Sequence, residues 1–332
     1  MKKWIALGFA IAAALLLLLL PSSPKKQYFH NQGNIFGTYY NIRYEATEDL
    51  HDSIKLRLQV FDHSLSMFNP QSIISRINRN DSVTTDALFE TMFSEAMDIS
   101  KISNGAFDIT VRPLVNAWGF GNKSQEPGAK VHASQIDSIK AFVGYEKVHL
   151  KGHQLLKSNP HTTLDASAIA KGYACDVIAN LLREKGCENL LVDIGGEVAL
   201  QGFNDKGNAW RVGITRPTID ATGTEKQLQE VIVSNNLCMA TSGNYQQYYF
   251  VDGQRRSHTI DPRTGYPVHH SLLSATVTAS SCMRADALAT ACMVLGEQEA
   301  LKMIENTEDA ACYLIVADCD TLRVTTSKEW QF

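Results

Sequence analysis

Leu50, Ile54, Leu58, Phe61 and Leu65 recur at the three- and four-residue spacing that lines up one face of a helix. Thr47 can cap its start, and Asn69-Pro70 stops it after Ser66. The same spacing predicts helices from about Thr85 to Ser103, ended by Gly105, and from the Asp165 region to Lys185, ended by Gly186. A fourth runs from about Met283 to Leu295, capped by Ser280 or Ser281 and closed by Gly296, and a last helix follows it. Alternating or β-branched runs predict strands from Ile35, around 147–164, at 210–214 and 231–233, and over the Leu272–Ala279 stretch. The run Gly105–Gly121 reads as a turn, then a strand, then an aromatic-glycine loop, and Val192–Val198 as a strand interrupted by a glycine pair. Residues 121–132 read as a polar loop, Asp252-Gly253 as a hairpin turn, and the C-terminus as a hairpin. Strands and helices mix without regular βαβ alternation, which favours α+β over a doubly wound sheet.

The first residues break this pattern. Met1-Lys2-Lys3 precedes an apolar run from Trp4 to Leu20 and a polar exit at Pro21–Lys26. That order describes a signal peptide or membrane anchor over residues 1–20, with a tether at 21–33, and it predicts export of the remainder. Localisation is then periplasmic, either anchored in the inner membrane or released after cleavage. The remaining composition, 44% hydrophobic and 20% charged with a net charge of -4, is that of a globular protein. Its 31 basic residues against 35 acidic ones, with no basic run carrying interleaved aromatics, argue against a nucleic-acid partner. Seven cysteines show no C-x-x-C pair and no metal-ligand spacing, which leaves disulfide pairing open. No G-x-G-x-x-G or Walker loop is present.

Four groups of residues could carry chemistry. Asp286 and Thr290 lie four apart on a predicted helix and can offer two oxygens to a hard cation. The same pair is equally an acid favoured by the helix dipole and a threonine bonded to the preceding turn. Asp165 and Lys171 flank a helix start, where free amides and a mobile ammonium suit an anion; a plain cap and a surface lysine share that spacing. His258 stands in Ser257–Pro267, a loop that also holds Asp261, Arg263 and Gly265, and its imidazole suits proton transfer near neutral pH. Phe36, Phe68, Phe107, Trp118 and Phe120 fall at turns, where aromatics line clefts or close the edge of a core.

Together these segments resemble the FAD:protein FMN transferases, the ApbE-like flavin transferases. The motifs are F-G-T-Y-Y from Phe36, the block Ser66–Asn78, G-A-F-D-I-T-V-R-P-L-V-N-A-W-G-F from Gly105, and L-D-A-S-A-I-A-K-G-Y-A-x-D from Leu164. I-G-G-E from Ile194, S-G-N-Y from Ser242, S-H-T-I-D-P-R-T-G-Y-P from Ser257 and A-D-A-L-A-T-A-x-M-V-L-G from Ala285 complete the series. The resemblance runs from about Ile35 to the C-terminal hairpin. It implies a single two-lobed catalytic domain over residues 34–332, of mixed or antiparallel sheet flanked by helices. It implies an enzyme that binds FAD and Mg²⁺, transfers FMN to a Thr or Ser hydroxyl of a partner protein and releases AMP. Partners would be flavin-accepting subunits of membrane redox complexes. Carried over by position, the FAD contacts are Phe36, Phe68, Ala106, Phe107, Asp108, Asp165, Lys171 and Ile260. Mg²⁺ falls to the Ala168 carbonyl, Asp286 and Thr290, and His258 matches the proposed catalytic base. Two positions depart: Phe36 stands where methionine is commoner, and Ala289 where some relatives carry a carboxylate, so weaker Mg²⁺ binding is expected. A Mg²⁺-dependent FAD pyrophosphatase would use the same residues, and a non-catalytic flavin-binding protein is the reading from another class.

Overall fold

A computed structural model describes residues 25–121, 131–217, 227–244, 248–251, 254–319 and 321–332. In chain order the first elements are β1 (Gln27–Ile35), β2 (Thr38–Ala46), α1 (His51–Leu65), α2 (Ile73–Asn78), α3 (Ala87–Ile102), α4 (Arg112–Ala117) and α5 (Ala133–Lys140). Then come β3 (Val148–Lys151), β4 (Gln154–Lys157), α6 (Ala170–Glu184), β5 (Leu190–Ile194), β6 (Glu197–Gln201), β7 (Trp210–Thr215), β8 (Leu228–Ser234) and β9 (Asn236–Gly243). The chain closes with β10 (Tyr248–Val251), β11 (Gln254–Ser257), β12 (Leu272–Thr278), α7 (Cys282–Leu295), α8 (Glu297–Glu305), β13 (Ala311–Asp318) and β14 (Thr321–Thr326).

Eight strands form one antiparallel sheet in the order β1-β2-β5-β6-β9-β12-β13-β14, and β3–β4, β7–β8 and β10–β11 are separate two-stranded ribbons. Helices α6 and α7 cover one face, and their apolar sides join α1, α3 and the sheet in the main core around Ile42, Phe61, Ile178, Val192 and Leu288. The β7–β8 ribbon covers part of the other face through Trp210, Ile214 and Ile232, packed on Leu200, Leu237 and Ile315. Every residue of β12 is buried, as expected of a central strand covered on both faces. Each such aliphatic side chain contributes about 1.5–3 kcal/mol by leaving water. A third cluster joins Leu114, Trp118, Ile136, Val143 and Ile260, and so docks the histidine loop onto α4 and α5. The result is the expected α+β class, with eight α-helices among the described residues.

Local signals placed several elements closely. Ser281 Oγ accepts from the Arg284 amide (3.1 Å) and caps α7, which ends at Gly296. Helix α1 ends at Leu65, and α3 is capped by Asp86, whose Oδ1 accepts from the Phe89 amide (2.8 Å). The cap expected from Thr47 is not used; α1 starts at His51, whose amide donates to Asp49 Oδ1 (2.9 Å).

Three readings need correction. The tether does not extend to residue 33, because Gln27–Ile35 is a strand paired along its whole length with β2. The Asp108–Arg112 run is a turn leading into α4: Asp108 Oδ1 accepts from both the amide and the hydroxyl of Thr110 (2.7 Å each), and Pro113 favours a helix start over a strand. Val192–Val198 is two antiparallel strands, because Gly195 and Gly196, at φ 67° and 104°, reverse the chain between β5 and β6. The helices α2, α4 and α5 and the strand β9 were not anticipated as separate elements.

The apolar run at residues 1–20, most of the 121–132 loop and the Asp252-Gly253 turn lie outside the described residues. Among the described residues, no helix is long and apolar enough to cross a membrane. All seven cysteines are free thiols, five of them buried.

What most directly positions the site is the crossing of α6 and α7. A methyl group on Gly172 would collide with the Cys282 carbonyl and lie 2.8 Å from the Cβ of Asp286. Alanine is the better helix former by about 1 kcal/mol, so close approach accounts for glycine here. Gly172→Ala is expected to destabilise the fold by about 1–3 kcal/mol, the usual scale of overpacking. Urea unfolding would check this, and a variant as stable as the native chain would contradict the tight crossing.

Candidate active site

Two tight reversals border one edge of the main sheet. Phe36 and Gly37, both at positive φ (52° and 75°), make the two-residue turn between β1 and β2. Phe36 adopts a backbone conformation that costs a non-glycine residue energy. Its ring packs on Phe61 (5.4 Å between centroids), and Phe61 packs on Tyr173 of α6 (5.4 Å). A shallow open concavity is lined by Asn34–Tyr39, and Phe68, 76% exposed, stands beside Gly37. The second reversal, Gly195-Gly196, is tied to this hairpin by the Gly195 amide, which donates to the Tyr39 carbonyl (3.0 Å). Glu197, the next residue, opens β6.

Lys171, second residue of α6, forms an ion pair with Glu197 Oε1. The neighbouring Gly172 amide donates to Asp286 Oδ2 (3.0 Å), which brings α7 against the same point. Glu197 and Asp286 are each 2% exposed, and Glu197 Oε2 is buried with no hydrogen-bond partner among the described residues. Burial disfavours the charge on Lys171, but the adjacent Asp286 and Glu197 outweigh it and hold the ammonium firmly protonated. Burial raises the carboxyls of Glu197 and Asp286 above the ordinary acid range, against the pull of Lys171. Two acids here share one base, and burial opposes both being ionised together.

Thr290 follows one turn after Asp286 on α7, and its hydroxyl shares a hydrogen bond with Ser242 Oγ of β9 (3.3 Å). Ala168 precedes α6. In a regular helix the Gly172 amide would donate to the Ala168 carbonyl; here it goes to Asp286, and among the described residues no backbone amide takes its place. Asp165 makes the preceding turn, its Oδ1 accepting from the Ser167 amide (2.9 Å) and hydroxyl (2.5 Å).

The histidine loop approaches through other contacts. His258 meets Phe120 edge to face at 6.3 Å, and Trp118 Nε1 donates to the Gly265 carbonyl (2.8 Å). Asp261 takes two bonds from the Arg263 guanidinium and one from its amide (2.9 Å each), which holds the turn. The Arg263 stem passes close to Gly105, beside Ala106 and Phe107. The Asp165 amide donates to Ile109 (2.6 Å), so the 105–109 turn joins the loop to the α6 start.

Lys171 pairs with Glu197, the adjoining Gly172 amide holds Asp286, Thr290 stands one turn on along α7, and the Ala168 carbonyl precedes α6. Phe36 and Phe68 cluster at the hairpin tip. Ala106, Phe107 and Ile260 are buried, Ile260 within the third apolar cluster. The Asp108 carboxylate is engaged internally, accepting from Thr110 and from the Tyr145 amide (2.7 Å), and burial raises its pKa to about 6. Sequence reasoning missed Glu197, although it stands inside the quoted I-G-G-E. It also missed Asp176, whose carboxylate accepts from the Cys282 and Met283 amides (2.9 and 2.8 Å) and so caps α7 from α6.

The ApbE family model matches residues 36–314. A curated FAD:protein FMN transferase of Vibrio cholerae is 35% identical over 96% of this chain and 95% of its own length. One from Haemophilus influenzae is 36% identical over 95% and 94%. The solved flavin transferase ApbE from Vibrio cholerae superposes with a TM-score of 0.82 at 34% identity, covering 92% of this chain and 98% of that one. The apo flavinyl transferase ApbE of Pseudomonas stutzeri gives 0.82 at 29% identity, over 93% and 97%. With this sequence match and this fold over nearly its whole length, the chain belongs to the ApbE family.

Proposed function

We propose that this protein is an FAD:protein FMN transferase, moving FMN from FAD onto a Thr or Ser hydroxyl of a partner protein with release of AMP. The observation that carries the reading is the cluster of half-buried Lys171 with the buried carboxylates of Glu197 and Asp286, on the elements that also carry Thr290 and the open Ala168 carbonyl, inside the span that matches the family.

The donor set fits a hard cation such as Mg²⁺. A carboxylate, a hydroxyl and a main-chain carbonyl are oxygen ligands, and few protein ligands leave room for phosphate oxygens. Among the described residues, no three His, Cys, Asp or Glu side chains converge as a metal cluster. We assign the site to Asp286, Thr290 and the Ala168 carbonyl, the positions that the family resemblance implies. A divalent cation there would neutralise the pyrophosphate and stabilise the AMP leaving group. Lys171 is placed to pair with phosphate charge at the start of α6.

In the reaction the acceptor hydroxyl oxygen forms a bond to the FMN phosphorus, the bond from that phosphorus to the AMP oxygen breaks, and AMP departs. His258 removes the hydroxyl proton. The hairpin-tip aromatics Phe36 and Phe68 provide apolar surface for the flat isoalloxazine.

We also read residues 27–332, with β1 included, as one catalytic unit whose two lobes are the main sheet and the smaller cluster around Leu114 and Ile260. Limited proteolysis releasing an active half would count against that. The apolar N-terminal run and the expected acceptors, flavin-carrying subunits of membrane redox complexes, both support a place on the outer face of the inner membrane. Protease accessibility in spheroplasts tests this, and a fully protected chain would refute it.

Co-expression with a candidate flavin-carrier domain is expected to add one FMN to that domain, read by intact mass. FMN and AMP appearing from FAD with no acceptor modified would instead favour a pyrophosphatase, and bound FAD with no turnover a binding protein. His258→Ala should keep FAD affinity within about twofold while transfer falls by about 10²–10⁴-fold, the range of general-base contributions; undiminished transfer would remove His258 from the base role. Asp286→Ala should abolish Mg²⁺-dependent turnover, and an unchanged Mg²⁺ activation curve would show the cation to be held elsewhere.

A further inference from the structure

Glu197 is the least explained residue of the cluster. It is almost completely buried, its Oε1 is paired with Lys171, and its Oε2 has no partner among the described residues. An unpaired buried carboxylate oxygen is costly and calls for a ligand. The charges raise the same question, since Glu197 and Asp286 oppose a single ammonium. On α7, Asp286 and Thr290 provide oxygen donors, while the intervening Ala289 provides none. Glu197 approaches from the sheet side and pairs with Lys171, whose ammonium also feels the charge of Asp286 on α7.

We propose that Glu197 belongs to the cation site: its Oε2 is a second carboxylate donor, and Lys171 holds the cation's place between Glu197 and Asp286 until a divalent ion arrives. This rests on the reading of Asp286 and Thr290 as cation ligands. The arrangement joins a compact, strongly hydrated ammonium on a flexible four-carbon stem to two acids that suit a hard divalent cation better. A divalent ion bound by both carboxyls would favour their ionised forms and would displace the ammonium. Lys171 is then released toward an anionic ligand at the open start of α6. No covalent step is involved: one ion pair exchanges for coordination by oxygen.

The test is Mn²⁺ binding to the folded, FAD-free full chain, read by electron paramagnetic resonance as loss of the free-ion signal. Thermal melting of each variant reports folding. Glu197→Gln keeps the shape and removes the charge; it is expected to weaken Mn²⁺ binding by about tenfold or more, with Glu197→Asp recovering part of the loss. Lys171→Met removes the competing ammonium and is expected to tighten binding by roughly tenfold, the scale of one like charge removed at short range. Asp286→Asn serves as the reference loss. If Asp286→Asn abolishes binding and Glu197→Gln does not change it, Glu197 is excluded while the cation site stands. If Asp286→Asn binds as tightly as the native chain, the cation assignment itself fails. Weaker binding in Lys171→Met would overturn the place-holding role, and this variant decides that role even if Glu197→Gln does not fold.

Discussion

Gly172 lets the start of α6 lie directly against the start of α7, and the candidate site is built on that contact. Any side chain there would press on the Cys282 carbonyl and on Asp286. The close approach has three chemical results. It points the Gly172 amide at Asp286, it thereby leaves the Ala168 carbonyl open, and it lets Asp176 reach the first amides of α7. The same glycine that weakens α6 as an isolated helix is what joins the two helices into a site.

The sheet supplies the opposite wall. Its hairpins β1–β2 and β5–β6 turn through tight reversals, and the pairing of β2 with β5 sets those reversals at the same end of the strands, so Phe36, Gly195-Gly196 and Glu197 lie at that end. A longer connection after β5 would have carried Glu197 away from Lys171. Burial then raises the electrostatic stakes, because the carboxylates of Glu197 and Asp286 meet an ammonium in a poorly solvated setting. Such a cluster is better suited to binding than to stability. Apolar residues of similar size would hold the helices together at less desolvation cost.

The histidine loop is organised differently. It is held by backbone geometry, the Asp261–Arg263 pair and the Trp118 indole, and its Ile260 is anchored in a separate apolar cluster. Chemistry and anchoring therefore alternate along one short segment, with His258 next to Phe120 and Ile260 packed inward. The 105–109 turn links this loop to Asp165 and hence to α6, so the two parts of the site share a continuous framework of short contacts.

Much of this was written locally. Helical spacing, the Ser281 cap and the Gly296 stop located α7, and the i, i+4 placement of Asp286 and Thr290 followed from helix geometry alone. The motif order also led to the family, since eight short patterns in one order constrain a chain far more than any single one. What the sequence could not decide were partners distant along the chain. The reversal at Gly195-Gly196 read as an interrupted strand because glycine marks a break without stating its direction. The carboxylate of Asp108, a residue that the resemblance implies as an FAD contact, accepts from Thr110 and from the Tyr145 amide, and spacing alone does not show the second. Glu197 and Asp176 stand inside quoted motifs, yet nothing local states their roles, because their partners lie 26 and 106 positions away. Spacing reveals which side chains share a face; only the folded chain decides which buried charge finds a partner and which one is left waiting for it.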